Sequence, residues 1–544
     1  MTPFTYYKER GKQMDIEVLK DYVNTGQLSV GIEFGSTRIK TVAIDPHCNT
    51  VSTGSYEWEN QYENGYWTYS MNDVWVGIQK SYNEMAQKIK NLCGIPITNL
   101  SSLGISGMMH GYLVFDKNDD LLVPFRTWRN NNANEAAKLL RNDFNVNIPE
   151  RWSIAQLYQS ALNNEDHVSK VKYMTTLAGY VHWYLTDKKV LGIGDASGMF
   201  PINTDKKELR EDLMESFNTL FQGLGYQQDI KDILPEVIVA GESAGYLTET
   251  GAKLIDPNGQ LKSGCPMCAP ESDAATGMVA TNSVAPKTGN VSAGTSIFSM
   301  IVLEQPIKNV YPEVDIVTTP DGYDVAMVHA NNCTSDINAW IGLFEDVFRI
   351  MNVKYDKNEL FTKLFESAFN GDEDLGKLLS YGYISGEFIT DVKQGYPMFL
   401  RHVDSDFNIE NFMKTHIFSA FSTLKIGIDL LKEKENIQID TMLGHGGIFK
   451  TEKVAQSFLA AALESPVSVM KTASEGGAWG IAVLARYLVE EQHNNLTEYL
   501  SIHAFKHTEQ FTIEPNENDI KSFKKYIQRF KSSLQLEQQV DEHA

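Results

Sequence analysis

The sequence predicts two α/β domains meeting at a central cleft, and three observations carry that prediction. The chain has 544 residues, more than one hydrophobic core normally supports, so two large domains are the physical expectation. An apolar run closed by a glycine turn and followed by a second run occurs at 28–45 (LSVGIEFG, then RIKTVAID), and the same plan returns at 289–303 (GNVSAGTSIFSMIVL). After each of these units, strand-like and helix-like stretches follow one another, as in sheets covered by helices.

Residues 1 to about 28 read as a leader helix, with Ile16, Leu19 and Val23 at helical spacing. The first core element is a β-hairpin whose turn is Gly35-Ser36-Thr37. A third strand (VSTGSYEWE) comes next, and a helix runs from near Asn72-Asp73 to Gly94. The strand LSSLGISGMM then leads to His110-Gly111. The second half opens on the hairpin around Gly294-Thr295-Ser296. A long helical segment at 409–432, the glycine turn of GHGGIF, a helix at 451–463, the strand PVSVM and a last core helix from Gly476 complete it. Small residues in SDAATGMVATN place the boundary near 282, giving domains 29–282 and 283–532. The Gln- and Glu-rich tail at 533–544 is expected to be disordered.

Lys and Arg number 48 against 70 Asp and Glu, a net charge of −22. Nucleic acids and anionic membranes need clustered positive charge, so neither is an expected partner. No apolar run approaches the 18 or so residues of a membrane span, and MTPFTYYKERGKQ lacks the pattern of a secretory signal. Five cysteines, an odd number, point to reduced thiols. A cytoplasmic protein is the expectation. Cys265 and Cys268 form a CPMC pair, but GCPMCA reads as a buried strand, on which residues three apart face opposite ways.

The chemistry concentrates in the turns. Glu33 to Lys40 offers backbone N–H donors, the hydroxyls of Ser36 and Thr37, two cations and a carboxylate, while Ser292 to Ser296 offers further donors. Glycine lets amides approach a phosphate closely. One such turn reads as an ordinary hairpin; two, opening duplicated domains, point to phosphate binding across a cleft.

These segments, taken in order, resemble the FGGY carbohydrate kinases, in the style of the xylulose- and ribulose-kinase branches, from about residue 28 to about 490. GIEFGSTRIK resembles the family's first phosphate motif and VSAGTS its second. GISGMMHG resembles the sugar-contact segment, LGHGGIFKTEKVAQ the adenosine motif and EGGAWGIAVLA (475–485) the final helix behind the nucleotide. The resemblance implies two ribonuclease-H-like, actin-like ATPase domains that use ATP and Mg2+. Gly35, Ser36, Thr37, Lys40, Gly294, Thr295, Ser296, Gly446 and Gly447 would line the nucleotide, and Glu33 would contact the metal through water. Met109, His110, Trp128 and Asp195 would line the sugar, with Asp273 as the catalytic base.

Each assignment has a plainer alternative. Asp273 can cap the helix that begins at AATGMVA, Asp195 a turn, and His110 and Trp128 can be packing residues. The sequence also departs from the family pattern: Glu33 stands where Asp is usual, Asn130 at an acidic position, Gln156 for a lysine, and Pro270-Glu271-Ser272 for glycines before the base. A ketopentose is the expected substrate. Glycerol, gluconate or a deoxyhexulose, or a non-catalytic nucleotide sensor, are the alternatives, and a homodimer is left open.

Overall fold

The computed structural model describes residues 15–470, 476–490 and 495–543. They divide into two compact units. The first comprises the described residues of 15–284, 316–325, 476–490 and 495–507; the second comprises those of 285–315, 326–470 and 508–543.

In the first unit, helix α1 (Ile16–Asn24) is capped by Asp15 and buries Leu19 and Val23, whereas Ile16 is exposed. The leader is therefore a short helix packed into the core cluster, and residues 1–14 lie outside the described residues. Strands β1 (Ser29–Phe34) and β2 (Arg38–Ile44) form the expected hairpin, and β3 (Thr50–Glu57) pairs antiparallel with β2. Helix α2 (Met71–Cys93) runs from a Ser70 cap to Gly94, whose φ of 79° closes the helix in the left-handed region. Strand β4 (Ser102–Gly107) lies parallel to β1. The short helix α3 (Ile193–Ala196) follows, then β5 (Ser243–Tyr246), β6 (Pro266–Cys268), β7 (Glu271–Ser272) and helix α4 (Asp273–Ala280). The sheet order is β5-β6-β4-β1-β2-β3, with β7 also on β4.

The second unit repeats this arrangement. Strands β8 (Thr288–Ala293) and β9 (Ile297–Val302) make a hairpin. Strands β10 (Val314–Thr318) and β11 (Asp324–Ala330), helices α5 (Ser335–Ile350) and α6 (Ile409–Glu435), β12 (Thr441–His445) and β13 (Val467–Met470) follow. After helix α7 (Gly476–Leu488), which belongs to the first unit, the second unit resumes with β14 (Gln510–Ile513) and helix α8 (Glu517–His543). The order is β10-β11-β9-β8-β12-β13-β14, and β12 is parallel to β8 as β4 is to β1. In both sheets a tight hairpin is thus flanked by a parallel strand. A parallel neighbour requires a long crossover, which explains why the equivalent strands are far apart in sequence.

Two expectations are corrected. The second domain was to run unbroken to 532, but α7 belongs to the first unit, where it packs on β1, β2, β4 and α4. Its small residues permit this close approach: a side chain at Gly480 would meet the Thr276 carbonyl at 2.1 Å. The tail at 533–544 was to be disordered, but α8 continues to His543. Phe523, Tyr526 and Phe530 are buried along it. Farther on, the buried Glu537 accepts a hydrogen bond from the Tyr396 N–H at 2.8 Å, and Gln538 donates to the Thr390 carbonyl. A polar composition concealed these anchors.

All five cysteines are buried and unbridged. No described helix is long and apolar enough to cross a membrane.

Candidate active site

In the first unit the β1–β2 turn is held from behind. The Trp58 indole N–H donates to the Gly35 carbonyl at 2.7 Å, the Tyr69 hydroxyl to that of Ser36 at 2.6 Å, and the Trp58 amide to that of Thr37. Trp58 and Tyr69 stack with ring centroids 4.3 Å apart. The turn's carbonyls are therefore occupied, while among the described residues the amides and hydroxyls of Ser36 and Thr37 have no partner. Such a turn presents donors outward, which is the polarity an anion needs.

Glu33 and Lys40 face each other in the β1–β2 register. Glu33 Oε2 accepts from the Ala478 N–H at 3.1 Å. Burial raises its pKa to about 7; the Asp273 carboxylate adds to the rise, and Lys40 and the Ala478 bond oppose it. The additional methylene of Glu relative to Asp fits because residue 477 is glycine: a Cβ there would lie 2.3 Å from Glu33 Oε1. Glu475, in the expected final-helix motif, lies outside the described residues.

Asp273 is the first residue of α4, but the cap is Ser272, whose hydroxyl accepts from the Ala275 N–H. Asp273 Oδ1 accepts from the N–H groups of Met109 at 3.0 Å and Ala274 at 2.9 Å. Its Oδ2 has no partner among the described residues, and the residue is partly exposed. Burial lifts the pKa to about 6 against the pull of these N–H donors. A carboxyl with one oxygen anchored and the other available, poised near neutrality, suits proton acceptance.

Met109 and His110 are buried. His110 adopts φ 68° and Gly111 φ 114°, an unusual conformation for a histidine and one that marks a constrained turn. Arg151 Nε donates to His110 Nε2 at 3.2 Å, which leaves Nδ1 to donate to the Gly198 carbonyl at 3.0 Å. Burial, reinforced by the Arg151 charge, keeps the ring neutral, with a pKa of about 3. Both ring nitrogens are thus committed to protein, so the expected sugar contact through the imidazole is replaced by a role in holding the turn that supplies the Met109 N–H.

Asp195 also departs from expectation. It is fully buried, its Oδ2 accepts from the Thr176 hydroxyl at 2.6 Å, and Oδ1 is sealed without a partner. It therefore offers a sugar no surface here. Glu271 is buried beside it and accepts from the Gly194 N–H at 3.3 Å. Burial holds both carboxyls well above the ordinary range, and Asp195 adds to the effect on Glu271.

Trp128 is 39% exposed at a turn, so it is not a core residue. Asn130 explains its own departure from the family pattern. Its Oδ1 accepts from the Trp67 N–H at 2.8 Å, while Nδ2 donates to the carbonyls of Trp67 and Thr127. An Asp could not donate those two bonds. Gln156, also buried, donates to the Glu150 carbonyl at 2.9 Å.

In the second unit the Gly294-Thr295-Ser296 turn is likewise held by its carbonyls. Thr334 donates through its amide and hydroxyl to Gly294, and the Cys333 N–H donates to Thr295. The amides and hydroxyls of Thr295 and Ser296 have no partner among the described residues. Gly446 (φ 114°) ends β12 so tightly that a side chain there would sit 2.1 Å from the Ala293 carbonyl, whereas the space beside Gly447 is open. The β12 turn and the β8–β9 turn therefore adjoin.

Sequence reasoning missed Glu387. It is buried, and its Oε2 accepts from the Asn331 and Asn332 amides and from Asn332 Nδ2. Asn332 Oδ1 in turn accepts from the Ile384 and Ser385 amides at 2.8 and 3.0 Å. This network fixes the segment 331–334 that holds the Gly294–Ser296 turn. Burial raises the Glu387 pKa to about 7 against these donors. A glutamate in a loop carries no periodic signal; only the Asn331-Asn332 doublet directly after a strand hinted at a polar clamp.

Two hairpin turns with outward donors, each opening an α/β unit, and a partly exposed carboxyl with one free oxygen are parts that a phosphotransferase of the actin-like ATPase fold can use. The chain belongs to the FGGY family of carbohydrate kinases: residues 28–279 match its N-terminal domain and 289–489 its C-terminal domain. It is thus an ATP-dependent sugar kinase. The chain is 21% identical to a xylulose kinase of Haemophilus influenzae over 529 residues, covering 93% of this chain and 99% of that one. Its fold matches a ligand-bound xylulose kinase from Lactobacillus acidophilus (TM-score 0.75, 17% identity, 93% and 97% covered). It matches a gluconate kinase from the same organism equally well (TM-score 0.75, 16% identity, 94% and 99% covered).

Proposed function

We propose that the chain transfers the γ-phosphoryl group of ATP to a primary hydroxyl of a ketopentose, xylulose or ribulose, with Asp273 as general base. The observation that carries this reading is the Asp273 carboxyl, anchored through Oδ1 by Met109 and Ala274 with Oδ2 left to accept a proton. As the hydroxyl oxygen attacks phosphorus, its proton passes to Oδ2, and ADP leaves with the electrons of the broken P–O bond. Lys40 and the outward donors of residues 36 and 37 in the first unit, and those of residues 295 and 296 in the second, are each suited to phosphate oxygens, and the open face of Gly447 admits the adenosine.

Among the described residues no group of three or more His, Cys, Asp or Glu is placed to hold a metal. That fits magnesium, which favours phosphate oxygens, water and one or two carboxylates over an all-protein cage. Glu33 would hold it through water, and the ion would neutralise phosphate charge. The similarity to xylulose kinases supports the ketopentose; Trp128 would wall the sugar pocket. Assay of ADP release with xylulose, ribulose, gluconate and glycerol tests the substrate. A ketopentose should stimulate release at least about tenfold over the no-sugar rate, a ratio that uniform binding alone does not give. Stimulation by gluconate or glycerol alone would overturn the ketopentose, and no stimulation by any sugar would favour the sensor.

The Glu387 clamp predicts a nucleotide effect. Glu387→Ala leaves the buried Asn332 amide and one hydrogen of Asn332 Nδ2 without an acceptor, a cost of about 1–3 kcal/mol each, and also releases the part-buried Asn331 amide. The KM for ATP should rise about tenfold or more while the KM for sugar changes little. Glu387→Gln retains an acceptor oxygen and should recover most of the loss. An unchanged KM for ATP in the alanine variant would remove the clamp from nucleotide binding.

A further inference from the structure

Glu271 is one of the residues, Pro270-Glu271-Ser272, that stand where glycines are expected before the base. It is fully buried on β7, opposite Ser106 of β4, and its carboxyl crosses to the start of α3. Oε1 accepts from the Gly194 N–H at 3.3 Å, and beside it the Gly192 N–H donates to the Pro270 carbonyl at 2.8 Å. The carboxyl fits only because residues 192 and 194 are glycines. A Cβ at Gly192 would lie 2.4 Å from Oε1, and one at Gly194 2.5 Å from Oε2. Two positions without side chains thus face one position with a long one. Glu271 Oε2 and Asp195 Oδ1 are both sealed without a partner. A buried unpaired charge costs far more than a buried neutral group, so burial keeps both carboxyls protonated, and it also keeps the neighbouring Cys268 thiol of β6 neutral. Of these four groups, Asp273 alone reaches solvent.

We propose that Glu271 is a positioning residue for the base, a wedge that ties the junction of β7 and α4 to α3 and so fixes the direction of Asp273 Oδ2. The inference rests on the reading of Asp273 as general base and adds a residue to it. Met109 and Ala274 hold only Oδ1, and two bonds to one oxygen leave the carboxyl able to pivot about it. The backbone at 270–273 then decides where the other oxygen lies. Glycines there would leave that backbone loose. Glu271 holds it from two sides, through the pairing of β7 with β4 and through the carboxyl on α3. Being neutral, the wedge sets no second negative charge behind the base, which would make Asp273 hold its proton more tightly.

The test is steady-state kinetics of the full chain, with the acceptor that most stimulates ADP release, across about pH 5 to 9. Glu271→Ala removes the wedge and should lower kcat about tenfold or more, because small misplacements of a reacting group cost this much. The KM for ATP should stay within about twofold, a split that general loosening of the fold does not give. Glu271→Gln keeps the shape, an acceptor for Gly194 and a donor in place of the acid O–H. It should recover most of kcat, with kcat/KM still rising through about pH 6. If the alanine variant does not fold, Glu271→Asp, one methylene too short to reach Gly194, should lower kcat about threefold or more. Full kcat in the alanine or aspartate variant overturns the proposal. So does a glutamine variant as slow as the alanine one, or one whose rise moves to lower pH, since that shift marks a charged Glu271. Asp273→Asn, measured alongside, separates the two readings. If it is active, the base assignment falls and the wedge with it; if it is inactive beside a fully active Glu271→Ala enzyme, the wedge alone falls.

Discussion

Asp273→Asn should lower turnover by about 10²-fold or more, the scale of general-base loss, with ATP binding little changed. The substitution is specific because the amide oxygen can keep both Oδ1 bonds, to Met109 and Ala274. Helix α4 loses no cap, since Ser272 provides it. What disappears is the proton acceptor. The stability effect has the opposite sign from that of a lost cap. Burial raises the folded carboxyl from its ordinary 3.8 to about 6, so between about pH 4 and 6 the folded state binds more protons than the unfolded one. Stability therefore falls as pH rises through that window. The Asn variant should melt at the same temperature or higher at pH 7.

The same carboxyl predicts the pH profile. The base works only when ionised, so kcat/KM should rise with pH through about 6 and level off above. Glu33, with a pKa of about 7 and raised in part by Asp273, should broaden that limb. In the Asn variant the limb attributable to Asp273 should vanish. Asp195→Asn is the control: its carboxyl is sealed, and burial holds it well above the ordinary range, so a neutral amide costs it little. An active Asp273→Asn enzyme beside an inactive Asp195→Asn enzyme would reverse the two roles.

The parts of the fold legible in the sequence were those with a local signal. The two hairpins were marked by apolar runs broken at Gly35 and Gly294, and α2 by its apolar spacing and by Gly94 at its end. Pairings between distant segments left no such trace. The return of α7 to the first sheet depends on the small residues Gly477, Ala478 and Gly480 meeting Glu33 and Thr276 across some 200 to 450 positions of sequence, and only packing reveals it. The site divides in the same way. The positions of the two turns and of Asp273 at the start of α4 were legible because glycines and small-residue loops announce exposed backbone. The sealed positions of Asp195 and His110 were not, because a polar residue in a loop reads the same whether it faces ligand or protein. Asn130 and Glu387 show the converse: their functions are hydrogen bonds to backbone elsewhere in the unit, which no motif encodes.

Gly447→Val should cut ATP affinity about tenfold or more while sugar affinity and melting temperature stay nearly constant. Two adjacent glycines make the comparison possible. Gly446 is structural: at φ 114°, with its missing Cβ only 2.1 Å from the Ala293 carbonyl, Gly446→Ala should cost several kcal/mol through backbone strain and overlap. That substitution would disturb the neighbouring Gly294–Ser296 turn along with the fold. Gly447 has neither constraint, since no heavy atom stands within 4 Å of a Cβ built there. A valine side chain would therefore be accepted by the protein and would extend into the space assigned to adenosine. Calorimetric titration with ATP and with sugar separates the two. Lost nucleotide binding on an intact fold would place the adenosine against Gly447. Unchanged nucleotide affinity in the valine variant would mean that the pocket lies elsewhere, however well Gly446 behaved as a structural glycine.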